Sequence, residues 1–383
     1  MHQGKGLESK YKGEVFYISP YLPQEKKYER HFSPAAQTKV GYVRTKLQKY
    51  VTTTVCINCS LTVDNSVILP KQFKDDYGSI RILGSVSSTK RLFLPICGAV
   101  MLFSVFLYVL FNIGKEDTVF LYHSVYYDPI VTALKKIKHF RIIYEIEEIY
   151  ADVRKHGVGR EKEISRCEEA ADGFIFPTEL LNEIVNRNSK KSIIIYGAYQ
   201  PVSIVRKGIN KKTSIVYSGT LMNGKGAQEA VNCASALDDQ FEIHIIGYGS
   251  IDEKRKIVEM IEDNSSMCMV SYDGMKYGEE YINYMTKCDI GICIQPSDSL
   301  FNGSSFPSKI LSYFNCGLAV VASEMESLKK SKLAKYIYFS RTVNPEDVAT
   351  AIRRASMSQV SNIDIILALD EEVSEKIEDI MLS

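Results

Sequence analysis

The stretch DIGICIQPSDSLFNGSSFPSKILSYFNCGLAVVA, residues 289–322, holds two short apolar runs, Asp289 to Ile294 and Leu318 to Ala322. Between them lie a polar Gly/Ser loop and a segment with helical spacing. Strand, loop, helix and strand in that order form the repeating unit of a parallel sheet flanked by helices. Pro307 falls near the first turn of the helical segment, where its fixed φ and missing N–H are tolerated. The free amides and positive end of that helix then converge on the loop. Ser304 and Ser305 add hydroxyl donors there, and Lys309 adds a charge one turn in. Such a spot favours a diphosphate, although a capped helix behind a polar loop would use the same residue types.

Outward from this segment the same alternation recurs. In the second half strands are expected at Ser214 to Ser218, Phe241 to Ile246, Met267 to Ser271 and Tyr336 to Ser340. The first half repeats the scheme at Val15 to Ser19, Thr53 to Ile57, Val119 to His123, Arg141 to Glu145, Gly173 to Phe176 and Ser192 to Tyr196. The expected fold is therefore α/β, two Rossmann-like doubly wound parallel-sheet domains facing a central cleft, with ligands beyond the carboxyl ends of the strands. A length of 383 residues suits two such domains. The boundaries read as a disordered tail over 1–12, an N-terminal domain over 13–199, a linker over 200–212, a C-terminal domain over 213–358 and a helical segment over 359–383 that could cross back to the N-terminal domain.

Charge and cysteine content narrow the function classes. Lys and Arg total 47 against 46 Asp and Glu, so nothing global points to nucleic acid. The halves differ, with a net of +7 over residues 1–200 and −6 beyond, which points the first half at something anionic if the asymmetry is more than scatter. Nine cysteines without framework spacing read as reduced thiols in the cytosol. Cys56 and Cys59 form a CxxC, but no second pair or His cluster accompanies them and they follow a β-branched run, which favours a structural role over a metal or redox one. Asp75-Asp76 and Asp238-Asp239 read as solvated acidic pairs, and no metal is expected.

From Leu92 to Ile113 no residue is charged, enough for the ~20 residues of a membrane span. A true span would place the two halves of the first sheet on opposite sides of the bilayer, so two readings stand. The segment is either a core helix or an interfacial helix docking the domain on the inner face of the plasma membrane, aided by Lys71, Lys74, Lys90, Arg91, Lys135, Lys136 and Lys138.

Several strand ends carry residues fit for phosphate work. Ser218 runs into Gly219-Thr-Leu-Met-Asn-Gly-Lys225-Gly226, a glycine-bounded turn that lets backbone approach phosphate while Lys225 supplies charge. Gly247-Tyr248-Gly249 and Tyr272-Asp273-Gly274 end two further strands. Each is a weak signal alone, since glycines in such turns are often only turn residues.

In order, SGTL…KG, IIGYG, CDIGICIQP and FPSKILSYFNCGLAVVAS resemble the donor domain of a GT-B-fold retaining glycosyltransferase of the bacterial capsule, exopolysaccharide and O-antigen type, in the glycosyl transferases group 1 family. The likeness is strong over about Ile215 to Ser323 and weaker but consistent over the first half. It implies that Gly219, Thr220, Lys225 and Lys309 contact the donor diphosphate, with Asn302, Gly303, Ser304, Ser305 and Phe306 facing the sugar and phosphates. Gly247, Tyr248, Gly249, Tyr272, Asp273, Gly274 and Ser312 would lie by the nucleoside. On the acceptor side it implies Ser33, Pro34, Ala35, Lys39 and Glu147, with His123 beside the donor sugar and Glu148 orienting the acceptor. For His123 and Glu148 a structural hydrogen-bonding role at a strand end is the competing reading. Thr220 stands where many relatives have Arg. Ser304 and Ser312 stand where the family places a pair of glutamates.

The resemblance implies a metal-independent retaining transfer without a cofactor, from a nucleotide diphosphate sugar to a lipid-linked or oligosaccharide acceptor, as in surface polysaccharide biosynthesis. It leaves a catalytically inactive binding or scaffolding relative as the alternative.

Overall fold

The computed structural model describes residues 11–22, 33–51, 53–60, 64–153, 159–202, 212–296, 305–357 and 362–382. Within them the chain forms two compact units. Unit 1 runs to Pro177 and adds Leu181–Ala198 and the stretch from Glu372; unit 2 comprises Thr178–Leu180 and Tyr199–Glu371.

Unit 1 holds ten strands: β1 (Val15–Ile18), β2 (Thr54–Asn58), β3 (Ser66–Ile68), β4 (Lys71–Asp75), β5 (Gly78–Ile82), β6 (Ser85–Ser87), β7 (Thr118–Tyr122), β8 (Arg141–Glu145), β9 (Gly173–Phe176) and β10 (Ser192–Ile194). Eight of them form one sheet in the order β10-β9-β8-β7-β1-β2-β5-β4, parallel except for β4, which pairs antiparallel with β5. β3 and β6 form a separate antiparallel pair. The strands from β1 to β9 around the sheet centre are buried on both faces, which is why they read as continuous apolar runs.

The four strands from β3 to β6 were not legible as strands. β4, KQFKD, is a polar edge strand whose lysines point to water, a device that blunts further pairing. Its last residue corrects an expectation: Asp75 is not a solvated acid but receives both terminal nitrogens of the fully buried Arg44, at 2.6 and 3.0 Å. Tyr21 stacks on that guanidinium, 4.8 Å from its ring centroid. Cys56 and Cys59 are buried in and just after β2 and form no disulfide, the structural role that the β-branched run favours.

Unit 2 holds β11 (Thr213–Thr220), β12 (Phe241–Tyr248), β13 (Met269–Tyr272), β14 (Ile290–Cys293), β15 (Ala319–Ser323) and β16 (Ile337–Ser340), all parallel, in the order β13-β12-β11-β14-β15-β16. The order reverses between β11 and β14, so the two connections leave on opposite faces and a crevice opens at the carboxyl ends of these strands. The closing helix, Ile363–Leu382, ends in unit 1. There Ile380 packs against Gly173, where a Cβ would stand 2.6 Å from its Cδ1.

Candidate functional site

The crevice in unit 2 owes its shape to one tyrosine. β11 and β14 pair only through Ile215, Val216, Ile290 and Gly291 and then diverge. Tyr313, on the helix Ser308–Asn315, fills the gap: its hydroxyl donates to Ile292 O at 2.9 Å and accepts from Ser218 N at 3.0 Å. Gly291 makes room for the ring, since a Cβ there would lie 2.2 Å from it. A second tyrosine holds the next loop. The buried Tyr217 hydroxyl lies 2.7 Å from Thr220 O and 2.9 Å from Lys225 O, so the turn from Gly219 to Lys225 is pinned at both ends. Gly226 is obligatory behind it, because a Cβ there would meet Ile294 O at 2.1 Å.

These supports frame a cavity of about 440 Å³, within the ~300–1,000 Å³ of small-molecule sites. One wall is Ser218, Gly219 and Thr220 at the end of β11 with Lys225 after it, and Tyr248 at the end of β12; the other is Gln295 after β14 and the run Ser305 to Lys309 with Ser312. The helix Ser308–Asn315 opens here behind Pro307 with no side-chain cap, so its positive end faces the cavity.

Two ammonium groups add to that field. Lys309 Nζ lies 4.1 Å from the Tyr217 ring centroid and donates to Lys225 O at 3.1 Å. Burial holds it below the ordinary lysine value. Burial also lowers Lys225, and the charge on Lys309 lowers it further. Two ammonium groups held below their ordinary value in one cavity suit a bound anion, whose negative charge would raise both.

The cavity thus brings together Gly219, Thr220, Lys225, Tyr248, Ser305, Phe306, Lys309 and Ser312 among the residues implicated from sequence. Asn302, Gly303 and Ser304 lie outside the described residues. Gly247, Gly249, Tyr272, Asp273 and Gly274 do not line it. Gly247 is required by packing, since a Cβ there would overlap Gly219 O at 1.7 Å, and at Gly249 a Cβ would crowd Leu221 at 3.0 Å. Tyr272 donates to Gly247 O at 3.1 Å. Asp273 is engaged with His244 at 2.9 Å and with the Tyr284 hydroxyl. Ser312 sits one turn into its helix, bonded to Ser308 O at 3.3 Å, with Tyr281 beside it in the lining.

In unit 1 the polar residues gather at the carboxyl ends of β1, β7 and β8, beside that sheet's own order reversal. Ser33 caps the helix Pro34–Leu47, accepting from Ala36 N at 3.3 Å, and Pro34 and Ala35 occupy its first turn. Lys39, from the same helix, is buried in an ion pair with Glu147. His123 is clamped at both ring nitrogens, by Asp128 at 2.5 Å and Glu163 at 2.8 Å. Burial opposes its charge, but the bonds to Asp128, Cys167 and Glu163 prevail and push it up to about 12. The ring therefore ties the helices Asp128–Lys138 and Arg160–Ala170 together, with neither nitrogen open to a substrate. Glu148 is half-buried and raised by burial and by Glu147. Among the described residues His123, Asp128 and Cys167 place ligand-type atoms within 4.8 Å of one another, but a cation there would have to break the His123–Asp128 bond.

Residues 212–357 match the model of the family described as Glycosyl transferases group 1. No curated protein matches the chain by sequence. Solved structures match nearly its whole length. The E. coli trehalose-6-phosphate structure bound with UDP-2-fluoro glucose superposes with a TM-score of 0.67 at 12% identity, covering 97% of this chain and 99% of that one. The α,α-trehalose 6-phosphate synthase of Burkholderia multivorans gives 0.64 at 12% identity, covering 97% and 98%. HepE of Anabaena in complex with UDP and glucose gives 0.61 at 10% identity, covering 96% and 100%. The fold is GT-B.

In this GT-B chain several supporting residues escaped sequence reasoning. Tyr217, Tyr313 and Gly291 act through contacts between strands that lie far apart in the chain, and only the pairing of β11 with β14 brings them together. Glu145 was missed as well. It is fully buried at the end of β8, one oxygen accepting from the Tyr17 hydroxyl and the other without a partner. Burial pushes it up to about 7, against the pull of Lys39. Its ordinary value is ~4.3, so the folded state holds the proton more firmly and stability falls as pH rises from there through 7. Glu145→Gln is expected to leave stability at pH 4 unchanged and to raise it by on the order of 2–3 kcal/mol at pH 8. Urea midpoints at the two pH values measure this. A loss at pH 8 would instead mean that Lys39 makes the ionised form favourable.

Proposed function

We propose that this chain transfers a sugar, with retention of anomeric configuration and without a metal, from a nucleotide diphosphate sugar to a lipid-linked or oligosaccharide acceptor in surface polysaccharide assembly. The observation that carries the reading is the convergence of Lys225, Lys309 and the start of the helix Ser308–Asn315 on one cavity at the order reversal of the sheet. In the reaction the anomeric carbon–oxygen bond to the diphosphate breaks and a bond to the acceptor oxygen forms on the same face. The acceptor proton passes to a donor phosphate oxygen. The leaving diphosphate gains charge as this happens, and preformed cations and helix-end amides stabilise charge that develops late. No side-chain base is required by this scheme, and Glu147 and Glu148 act by positioning the acceptor.

The structures with UDP and glucose or a fluorinated UDP-glucose make a uridine diphosphate sugar the first donor to try. Thermal-shift titration with uridine, guanosine and adenosine diphosphates tests donor binding, since saturation at 100 Kd stabilises by ~2.7 kcal/mol. Lys225→Ala is expected to abolish both the shift and sugar transfer. Full activity of that variant with its proper donor would refute the phosphate assignment. A second reading, a binding subunit without activity, is favoured by Thr220 and Ser312, which offer no charge where the cavity could have carried it. A nucleotide shift without turnover over any acceptor would select it.

A further inference from the structure

The helix Leu94–Asn112 contains no charged residue, yet among the described residues only one side of it is covered. Cys97, Met101, Val105 and Val109 recur every fourth position and are buried; the helix packs against β6 and the helix Asp128–Lys138. Half a turn round, Ile96, Ala99, Phe103 and Phe111 form a second ridge that faces water, with Phe103 and Phe111 60% and 75% exposed. A helix on a water-soluble surface carries charged or polar side chains on that side. The bare area extends past the helix start to Leu92, 82% exposed. Contiguous exposed apolar surface of this kind marks an interaction site.

The stretch of chain that carries the ridge has charge of one sign. From Tyr77 to Lys115 the sequence contains no Asp or Glu, whereas Lys90 and Arg91, both exposed, stand at the head of the ridge, and exposed Lys71 begins the neighbouring β4. β5 before the helix and β7 after it belong to the same eight-stranded sheet, so the helix cannot cross a bilayer without dividing that sheet. It can only lie along a surface.

We propose that this ridge seats unit 1 on the surface of an anionic lipid bilayer, with Phe103 and Phe111 entering the acyl boundary and Lys90 and Arg91 meeting headgroup phosphates. A second copy of the chain is the competing occupant. It would present the same stretch from Tyr77 to Lys115, with only Glu116 and Asp117 beyond its end to face Lys90 and Arg91, whereas an anionic bilayer offers a field of headgroup phosphates. The surface is independent of the cavity in unit 2, so its failure would leave nucleotide binding untouched.

The test is co-sedimentation of the full chain with vesicles of phosphatidylcholine, with and without phosphatidylglycerol. Wild type is expected to bind the phosphatidylglycerol vesicles and to be released by salt. F103E/F111E should lose at least about 10-fold in partitioning, from the apolar area no longer buried, with an unchanged melting temperature because both rings are exposed. K90E/R91E should lose roughly 5-fold per residue on the anionic vesicles and little on phosphatidylcholine alone. Failure of wild type to bind, or equal binding by F103E/F111E, overturns the proposal. So does a wild-type dimer in solution that F103E/F111E splits into monomers.

Discussion

Lys309→Ala should cost at least about 100-fold in kcat/KM for sugar transfer while leaving the unliganded protein as stable as wild type or more so. Removing one preorganised charge from a developing oxyanion typically costs ~2.7–4 kcal/mol of transition-state stabilisation. The stability half follows from its depressed pKa. Burial makes the ammonium unfavourable in the folded state, so the penalty operates below the folded pKa and fades as pH rises toward the ordinary lysine value. The contact with Tyr217 offsets part of it. Function and stability therefore oppose each other at this residue, as at sites built to meet a ligand. Initial rates and melting curves, each with and without a nucleoside diphosphate, measure both halves. Retained transfer with an unchanged nucleotide shift would remove Lys309 from the site.

His123→Ala is expected to act on the other unit in the opposite way, chiefly on stability. It would leave Asp128 and Glu163 buried without their shared cation, and breaking a buried pair from one side costs ~3–5 kcal/mol. For a unit of this size that is on the order of 10 °C in melting temperature. The folded pKa lies above the unfolded value, so the stabilisation is complete below ~6.5 and is lost as pH rises toward 12. The gap between variant and wild type should accordingly narrow in alkaline buffer. A variant that melts like wild type but turns over slowly would restore His123 to the sugar, the role its position by resemblance implies.

The contrast between these residues explains what could be read from the chain alone. The parallel strands were legible because both of their faces are buried, which writes them as apolar β-branched runs, and Arg141–Glu145 and Gly173–Phe176 end where the runs end. β4 and β5 were not, because a polar edge hairpin has no such signature. Lys225 and Lys309 were legible because each follows a strand in a glycine or serine loop, a local pattern. That Lys309 reaches the Lys225 carbonyl, that Tyr313 bridges two diverging strands and that Asp75 holds Arg44 are facts of pairing between distant segments. No window of sequence contains them. Gly247 of IIGYG shows a further limit of local pattern, since packing of backbone against Gly219 O already requires a glycine there.

The course of the last helix bears on how the chain is made. Unit 1 is completed by residues from Glu372 onward: Arg141 donates to Ile380 O at 2.8 Å, Tyr50 to Ser374 O at 3.3 Å, and Ile380 covers Gly173. All of unit 2 from Tyr199 is synthesised before those residues emerge. At ~5–20 residues per second the interval is on the order of ten seconds or more. During it the face around Gly173 lacks Ile380, so the earlier of the two units is completed after the later one.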